Sequence, residues 1–401
     1  MNTVGIVAEY NPFHSGHAYH LQRTKLMLGD DCAAVCVMSG DFVQRGSAAA
    51  YNKFARAEAA LRCGVDLVLE LPLAWSLSSA EGFARGAVGL LDALGQCTHL
   101  SFGSECGDIE LIKDTAQALI DPAMNAAIKA ELGGGIPYAA ARQEALRRRD
   151  PGLASILDTP NNILAVEYVK AIYNEGARLE PVTVPRFGAG HDEQGPAGPK
   201  SASEIRHRMA EGANMKEYMP ASAAEVFQKE ENAGRGFMTD AALETAILSR
   251  LRMLDIETFN RLPDAGGGLG TAIYNAVREE TGLDAIAAAA KSRCYAMSRI
   301  RRMIMCAALG VTAGMADGFP PYARVLAANE TGRAVLKAAG STTDIPLITK
   351  PADAHGLSSR VEGTFSLGAD AHDLYVLGYR AREERRGGAD WRTSPYIVQL
   401  D

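Results

Sequence analysis

The strongest constraint on the fold is the alternation of short apolar runs with helical patterns in the first half of the chain. Runs that predict strands cover residues 4–8, 33–38, 65–71, 98–102 and 182–186. Helical patterns extend up to about residue 28 and then cover residues 51–63, 79–94, 107–119, 138–149 and 162–173. The first strand run is apolar throughout, which is typical of a strand buried on both faces. This alternation predicts an α/β fold with a parallel sheet, whose ligands bind beyond the carboxyl ends of the strands.

The pattern changes beyond about residue 212. Residues 187–200 are rich in Gly and Pro and predict a loop, and a helix is expected to start at Ser201. Ala- and Leu-rich segments at residues 241–251, 285–309 and 323–339 predict helices, and residues 345–349 predict a short strand. We therefore expect an α/β domain over residues 1–212 and a mainly α-helical domain over residues 213–401.

Composition limits the functions that the chain can have. The 401 residues include 41 Lys and Arg against 48 Asp and Glu, so nucleic-acid binding would have to rest on local basic patches. Seven cysteines indicate a reducing cytoplasm rather than a disulfide framework, and Cys32 and Cys36 lack a second pair at zinc-site spacing. We expect a cytoplasmic protein without a signal peptide or membrane span, and its oligomeric state is left open.

Three of the eight histidines, namely His14, His17 and His20, lie at the junction between the first strand and the first helix. Residues spaced three apart share one face of a helix, so these side chains should form a column at the helix N-terminus. Gly16 leaves room for a ligand to approach the backbone. The N-terminus of a helix attracts anions, and imidazole donors suit a phosphate whose charge grows during transfer.

Two other interpretations of the histidines compete with phosphate binding. They could be hydrogen-bonded core or surface histidines, or three ligands of a metal ion. No Asp or Glu joins them at short spacing, since Glu9 precedes the loop. We therefore favour a phosphate site without a protein-bound metal, in which His14 and His17 are the catalytic candidates.

The segment His14-Ser15-Gly16-His17 resembles the HxGH signature of a nucleotidyltransferase superfamily. That resemblance implies a Rossmann-like sheet that activates a carboxylate, or another nucleophile, at the α-phosphate of a nucleotide. A second element, residues 201–206, is similar to the helix start that holds the triphosphate in this superfamily. A serine there can cap a helix, and Arg206 adds a forked cation. A simple helix cap with a surface arginine is the alternative.

A longer set of segments narrows the resemblance. Residues 8–21, 38–46, 69–72, 101–105, 160–164 and 186–191 resemble, in this order, segments of the bacterial tRNA(Met) cytidine acetate ligase family. The similarity continues more loosely through SRIRRMIM, ARVLAAN and TGRAVLK. It implies that ATP and acetate form acetyl-adenylate, and that the acetyl group passes to the wobble cytidine (position 34) of elongator tRNA(Met), giving N4-acetylcytidine. Mg²⁺ is expected to accompany the triphosphate.

The resemblance also implies which residues bind ATP, although it does not say which of two adjacent asparagines reaches the nucleotide. The implied ATP-binding residues are Val7, Ala8, Glu9, Tyr10, Asn11, Pro12, Phe13, His14, Ser15, Gly16, His17, His20, Gly103, Asn161, Asn162, Arg186, Ser201, Ser203 and Arg206. Arg45 follows the second strand and is a further candidate for a phosphate or carboxylate contact, with a surface loop as the alternative.

The second half of the chain contains basic side chains that could bind RNA. The candidates there are Arg293, Arg299, Arg301 and Arg302. A solvated helix face is the alternative explanation, because a basic cluster alone is a weak signal. Two other functions stay open. A small-molecule adenylyltransferase of the pantetheine-phosphate or nicotinamide-mononucleotide type would not need the long second half. A non-catalytic RNA-binding protein with a relic nucleotide fold would not need the intact histidines.

Overall fold

The computed structural model describes residues 2–133, 136–186, 201–212 and 214–398. Within these ranges the strands are β1 Thr3–Ala8, β2 Ala33–Ser39, β3 Phe42–Val43, β4 Ser47–Ala48, β5 Leu67–Leu71, β6 His99–Ser104, β7 Glu180–Pro185, β8 Ala323–Ala328, β9 Leu347–Ile348 and β10 Tyr396–Ile397. The helices are α1 Ser15–Leu28, α2 Lys53–Arg62, α3 Leu73–Ser76, α4 Ala80–Ala93, α5 Ile109–Ile120, α6 Pro122–Leu132, α7 Tyr138–Arg149, α8 Pro151–Ile156, α9 Pro160–Glu175, α10 Ala202–Ala210, α11 Ala221–Asn232, α12 Asp240–Met253, α13 Ile256–Asn260, α14 Leu269–Glu279, α15 Leu283–Ala289, α16 Met297–Leu309, α17 Glu330–Ala339, α18 Ser359–Val376 and α19 Ala389–Arg392. Short 3₁₀ turns cover Met215–Glu217, Pro351–Ala354 and Arg382–Glu384. None of the helices in the described part of the chain is long and apolar enough to cross a membrane.

The central sheet has the strand order β10-β8-β5-β2-β1-β6-β7, and β9 pairs with the first two residues of β8. Strands β5, β2, β1, β6 and β7 are parallel, and β1 pairs with β2 from Thr3 opposite Ala33 to Ala8 opposite Met38. Strand β8 is antiparallel to β5, and β9 and β10 are parallel to β8. The predicted α/β class with a mainly parallel sheet is confirmed.

Burial on both faces explains why the strand runs show no polar alternation. All seven residues of β2 are buried. Val35 and Val37 contribute to the core under α4 and α9, whereas Cys36 and Met38 contribute to the core under α2 and α11. A strand covered on both sides needs apolar residues at every position. The carboxyl ends of β1, β2 and β6 therefore emerge from a rigid, fully packed layer.

The second half of the chain supplies three strands to this sheet. The predicted strand at residues 345–349 is present as Leu347–Ile348. Residues 323–328 were expected to be helical, and this prediction is wrong, because they form the fully buried strand β8. A short run of Ala, Val and Leu has no period that distinguishes a buried strand from a buried helix. Helix α17 begins only after Asn329, whose side chain caps it. The domain division near residue 212 stays a prediction.

A buried group of charges connects the two halves beside the sheet. Lys53 Nζ lies 2.8 Å from Glu70 Oε1 and 2.7 Å from Asp390 Oδ2. Arg324 lies 2.9 Å from the other oxygen of each carboxylate. All four side chains are almost completely buried, so each charge depends on its partners for compensation. No local sequence pattern predicts these pairs, because their members are far apart along the chain.

Candidate active site

The start of α1 is closed by two histidines that cap each other's backbone. His14 is the N-cap residue, and its Nδ1 accepts a hydrogen bond from the Gly16 N–H at 3.0 Å. His17 Nδ1 accepts from the His14 N–H at 3.2 Å, and the two rings stack with centroids 3.8 Å apart. In a neutral imidazole whose Nδ1 accepts, the proton must sit on Nε2. The cap therefore leaves each ring with one N–H donor, on Nε2.

The histidines are neutral at physiological pH. Burial, together with the nearby positive charges of Arg186 and Arg206, lowers the pKa of His14 to about 4. Burial also lowers the pKa of His17 well below its usual range, helped by the neighbouring histidines and Arg186. The rings can thus donate hydrogen bonds to a phosphate, while the two arginines supply the positive charge.

His20 is held by the sheet rather than by the helix cap. Its Nε2 lies 3.0 Å from Ser101 Oγ, and Ser101 is in turn 2.7 Å from Thr24 Oγ1. Burial, followed by the charge of Arg186, lowers the pKa of His20 to about 4. His20 lies one turn after His17, and its contact with Ser101 connects α1 to β6 and orients the helix.

The loop between β1 and α1 supports His17 with two buried aromatic rings. The centroid of Tyr10 lies 4.9 Å from that of His17 in an edge arrangement, and the centroid of Phe13 lies 5.5 Å away. Pro12 is also buried. These side chains face the core, so a nucleotide would meet this loop mainly through its backbone.

The polar residues of the loop bind neighbouring segments. Asn11 Oδ1 accepts from the Ala50 N–H at 2.7 Å, whereas Asn11 Nδ2 is buried without a hydrogen-bond partner among the described residues. Glu9 Oε1 accepts from the Gln44 N–H at 3.0 Å. Val7 and Ala8, at the end of β1, are half-buried. The free amide of Asn11 is a further donor that a ligand could use.

Two small residues of the signature have different surroundings. Ser15 Oγ donates to the Tyr218 carbonyl at 3.1 Å, so it binds the segment before α11. A Cβ on Gly16 would lie 2.8 Å from Cε1 of His14. A larger residue at position 16 would therefore displace the His14 ring from its place at the helix start, a constraint that the sequence did not reveal.

Helix α10 brings an arginine to the same loop. Ser201 caps α10 by accepting from the Glu204 N–H at 3.2 Å, as predicted for this helix start. Arg206 Nη1 donates to the Asn11 carbonyl at 2.8 Å. Ser203 is exposed on α10. The segment Gly188-Ala189-Gly190-His191, which contributed to the resemblance, lies outside the described residues.

The ends of β6 and β7 position Arg186 and separate the two asparagines. A Cβ on Gly103 would lie 3.3 Å from Arg186 Cγ, so the glycine makes room for this side chain. Arg186 Nη1 donates to Asn161 Oδ1 at 3.3 Å. Asn162 Oδ1 instead accepts from the backbone N–H groups of Glu105, at 2.9 Å, and Cys106, at 3.2 Å. Asn161 therefore faces the arginine, and Asn162 faces the turn after β6.

Glu105 has a role that the sequence did not assign. Its carboxylate accepts from the side-chain amide of Asn161, from the backbone N–H groups of Asn161 and Asn162, and from the Thr159 hydroxyl at the start of α9. Burial raises the pKa of Glu105, but these hydrogen bonds outweigh burial and lower its pKa overall. An acidic residue three positions after the predicted strand at residues 98–102 was the available signal, although only the folded chain shows that it caps α9.

The described part of the chain contains no group of three or more His, Cys, Asp or Glu side chains arranged to hold a metal ion. Around the histidines, one carboxylate oxygen of Glu9 binds the Gln44 N–H, and both oxygens of Glu105 bind the start of α9. The charged groups that converge on the histidines are arginines. The chemistry of this site is that of an anion cradle.

Comparison with known proteins shows the family of the chain. The family model described as HIGH Nucleotidyl Transferase matches residues 1–390. A tRNA(Met) cytidine acetate ligase of Acetivibrio thermocellus is 32% identical, over 99% of this chain and 100% of its own. Another, from Clostridium acetobutylicum, is 36% identical over 87% of this chain and 90% of its own. The chain belongs to the tRNA(Met) cytidine acetate ligase family.

Solved structures agree with this assignment. Thermotoga maritima TmcAL bound with α-thio ATP has a TM-score of 0.91 to this chain at 30% sequence identity, and the match covers 100% of both chains. Its apo form also gives a TM-score of 0.91, at 31% identity. The family and the fold class expected from the sequence are therefore confirmed.

The arginines predicted to bind RNA in this member of the acetate ligase family differ in exposure. Arg293 is exposed before α16, and the Arg299 guanidinium lies 4.7 Å from the Tyr295 ring centroid. Arg301 is exposed and forms a 2.7 Å ion pair with Asp284. Arg302 is buried, with Nη2 3.6 Å from Asp264, so it does not share a surface with the others.

Proposed function

We propose that the protein is an ATP-dependent acetate ligase that forms acetyl-adenylate and acetylates N4 of the wobble cytidine, position 34, of elongator tRNA(Met). The observation that carries the proposal is the reciprocal cap of His14 and His17, which leaves two Nε2–H donors beside Arg186 and Arg206. Family membership and the likeness to a structure bound with an ATP analogue support ATP as the nucleotide.

In the first step, an acetate oxygen attacks the α-phosphorus of ATP and forms a new P–O bond. The bond from this phosphorus to the bridging oxygen breaks, and pyrophosphate leaves with the electron pair. His14 and His17 donate hydrogen bonds to the phosphoryl oxygens as charge grows on them, and Arg186 and Arg206 neutralise the phosphates. Neutral imidazoles suit this task because their donors stay fixed throughout the reaction.

In the second step, the cytidine N4 attacks the carbonyl carbon of acetyl-adenylate. The C–O bond to AMP breaks, AMP leaves, and the amine loses a proton. The cytidine must leave the base stack to reach the adenylate. The exposed arginines Arg293 and Arg301 and the half-buried Arg299 are proposed to hold the RNA backbone, while Arg302 is buried within α16.

Mg²⁺ would enter with the triphosphate, bound by phosphate oxygens and water. The described residues around the histidines offer no set of free carboxylates for it. No step above depends on a protein-bound metal.

The proposal is tested by incubating the protein with labelled acetate, ATP and bulk tRNA, followed by nucleoside analysis. We expect the label in N4-acetylcytidine, and pyrophosphate release that depends on acetate. Adenylyl transfer to a small phosphorylated substrate without tRNA labelling would favour the pantetheine-phosphate or nicotinamide-mononucleotide type of enzyme. RNA binding without turnover of ATP would favour a non-catalytic protein.

Variants of His17 test the assigned chemistry. His17→Asn can keep an acceptor for the His14 N–H but lacks the Nε2 donor, so acetate-dependent exchange of pyrophosphate into ATP should fall at least about 100-fold. His17→Gln places an amide donor near the Nε2 position and should retain part of the activity. His207→Asn, an exposed position on α10, serves as the control. Equal activity of the Asn and Gln variants at position 17 would remove the donor from the mechanism.

A further inference from the structure

The small hairpin of β3 and β4 has no part in the function proposed above. Phe42, Val43 and Ala48 are buried, yet the tip of the hairpin exposes Arg45. Within the described residues, Arg45 forms no hydrogen bond or ion pair. A guanidinium on a buried scaffold, without a partner of its own, is suited to bind an anion.

The hairpin is fixed from two sides, so the position of Arg45 is defined. The Gln44 N–H donates to Glu9 Oε1 in the loop before α1, and Gln44 Nε2 donates to the Ser78 carbonyl at 3.2 Å. On the other strand, the Ala48 N–H donates to Asp240 Oδ1 at 3.0 Å. The hairpin thereby joins the histidine loop to the start of α12.

The tip of the hairpin also lies directly against α16. Gly46 has a φ of 76°, and a Cβ at this position would lie 2.5 Å from the carbonyl carbon of Arg301. Only glycine allows the turn and the helix backbone to approach so closely. The neighbouring Arg45 is therefore placed next to the helix that carries Arg299 and Arg301.

Charges of both signs meet at this junction. Burial lowers the pKa of Arg206, and the charge of Arg45 acts in the same direction, so the two guanidinium groups are near each other. Burial raises the pKa of Asp240, while Arg301 and Arg206 act to lower it. Arg206 has Glu9 and Asp240 as acidic neighbours, and Arg301 is paired with Asp284, whereas Arg45 has no ion-pair partner among the described residues and stays available to an anionic ligand.

The arrangement favours a ligand outside the nucleotide cradle. The arginines that act on His14 are Arg186 and Arg206. Arg45 is instead exposed at the tip of the hairpin, where the adjacent Gly46 lies against the backbone of α16 at Arg301.

We propose that Arg45 binds a backbone phosphate of the RNA strand that carries the target cytidine. The strand would then be held between α16 and the adenylate. This inference rests on the proposed function for RNA as the substrate, and it adds a phosphate contact that lies in the first half of the chain.

The test compares Arg45→Ala and Arg45→Lys with wild type in three measurements. These are acetate-dependent ATP–pyrophosphate exchange, the KM for tRNA in acetyl transfer, and the Kd for unmodified tRNA at several salt concentrations. Arg45→Ala should spare exchange, raise KM and Kd about tenfold, and reduce the salt slope of log Kd by about 0.7. Arg45→Lys should restore most of the affinity.

The matched control is Arg333→Glu, compared with Arg45→Glu. Arg333 is exposed on α17, which packs beside Asp66 at the opposite edge of the sheet, and its reversal should leave all three measurements unchanged. Loss of exchange in Arg45→Ala would assign Arg45 to the nucleotide and overturn the proposal, as would an unchanged Kd and salt slope for tRNA. The binding measurement stands without catalysis, so wild-type protein that binds tRNA but transfers no acetyl group would refute the proposed function separately.

Discussion

Replacement of Asn161 and of Asn162 by alanine should separate ligand binding from stability at two adjacent positions. Asn162 is buried, and its oxygen accepts two backbone hydrogen bonds, from Glu105 and Cys106. Its loss leaves two N–H groups without a partner in a partly buried turn, at about 1–2 kcal/mol each. We expect Asn162→Ala to lower the free energy of unfolding by about 2–4 kcal/mol.

Asn161→Ala should have the opposite profile. Glu105 loses the hydrogen bond from the Asn161 side-chain amide but keeps those from the backbone of both asparagine positions and from Thr159, so the loss of stability should be about 1–2 kcal/mol. Arg186, however, loses the contact that orients it, and the Kd for ATP should rise about tenfold.

Urea unfolding and calorimetric titration with ATP, without acetate or tRNA, measure the two effects. In this design each variant is the control for the other. An Asn161→Ala protein as unstable as Asn162→Ala, or one with wild-type affinity for ATP, would contradict the assignment of Asn161 to ATP binding and of Asn162 to stability.

Three further predictions follow from the geometry. The pKa of His20 is about 4 in the folded protein and near 6.5 in the unfolded chain, so up to about 3 kcal/mol of folding free energy is present above pH 6.5 and is lost as the pH falls toward 4. In urea unfolding at pH 4.5–6.5, the free energy of unfolding of His20→Gln should therefore fall less steeply with pH than that of wild type. Equal pH slopes for the two proteins would contradict the argument. Gly103→Ala pushes Arg186 aside by a few tenths of an ångström. Calorimetric titration should show several-fold weaker ATP binding, while urea unfolding should show a free energy of unfolding changed by less than about 1 kcal/mol. Unchanged affinity for ATP would mean that Arg186 does not contact the nucleotide. Lys53→Met removes a buried ion-pair partner from Glu70 and Asp390, so the free energy of unfolding, measured in urea, should fall by about 3–5 kcal/mol. A fall of less than about 1 kcal/mol would mean that Arg324 alone compensates the charge of both carboxylates.

The parts of the site that depend on local sequence were predictable. The end of β1, the start of α1 beside His14 and the start of α10 at Ser201 follow from short-range patterns, and the structure has them at the expected places. The sequence could not say which asparagine meets Arg186. That choice depends on Glu105, which lies 56 residues before Asn161 and fixes the first turn of α9.

Features that depend on distant partners were missed. The network around Lys53 joins residues that no local pattern relates, and β8 is a strand because it lies against β5, where both of its faces are buried. The reason for glycine at position 16 was also hidden, since it depends on the rotamer of the adjacent His14 ring. Long-range pairing and side-chain direction are the information that composition and periodicity lack.

The pairing of β5 with β8 has a consequence for synthesis of the chain. While the first half emerges from the ribosome, β5 is an exposed edge strand. The ion pair between Lys53 and Asp390 cannot form until a further 337 residues have been made. Such an edge is open to pairing with other chains until its proper neighbour arrives. A fragment ending near residue 212 should therefore aggregate rather than bind ATP, and the complete nucleotide site should form late, after the strands of the second half have been made.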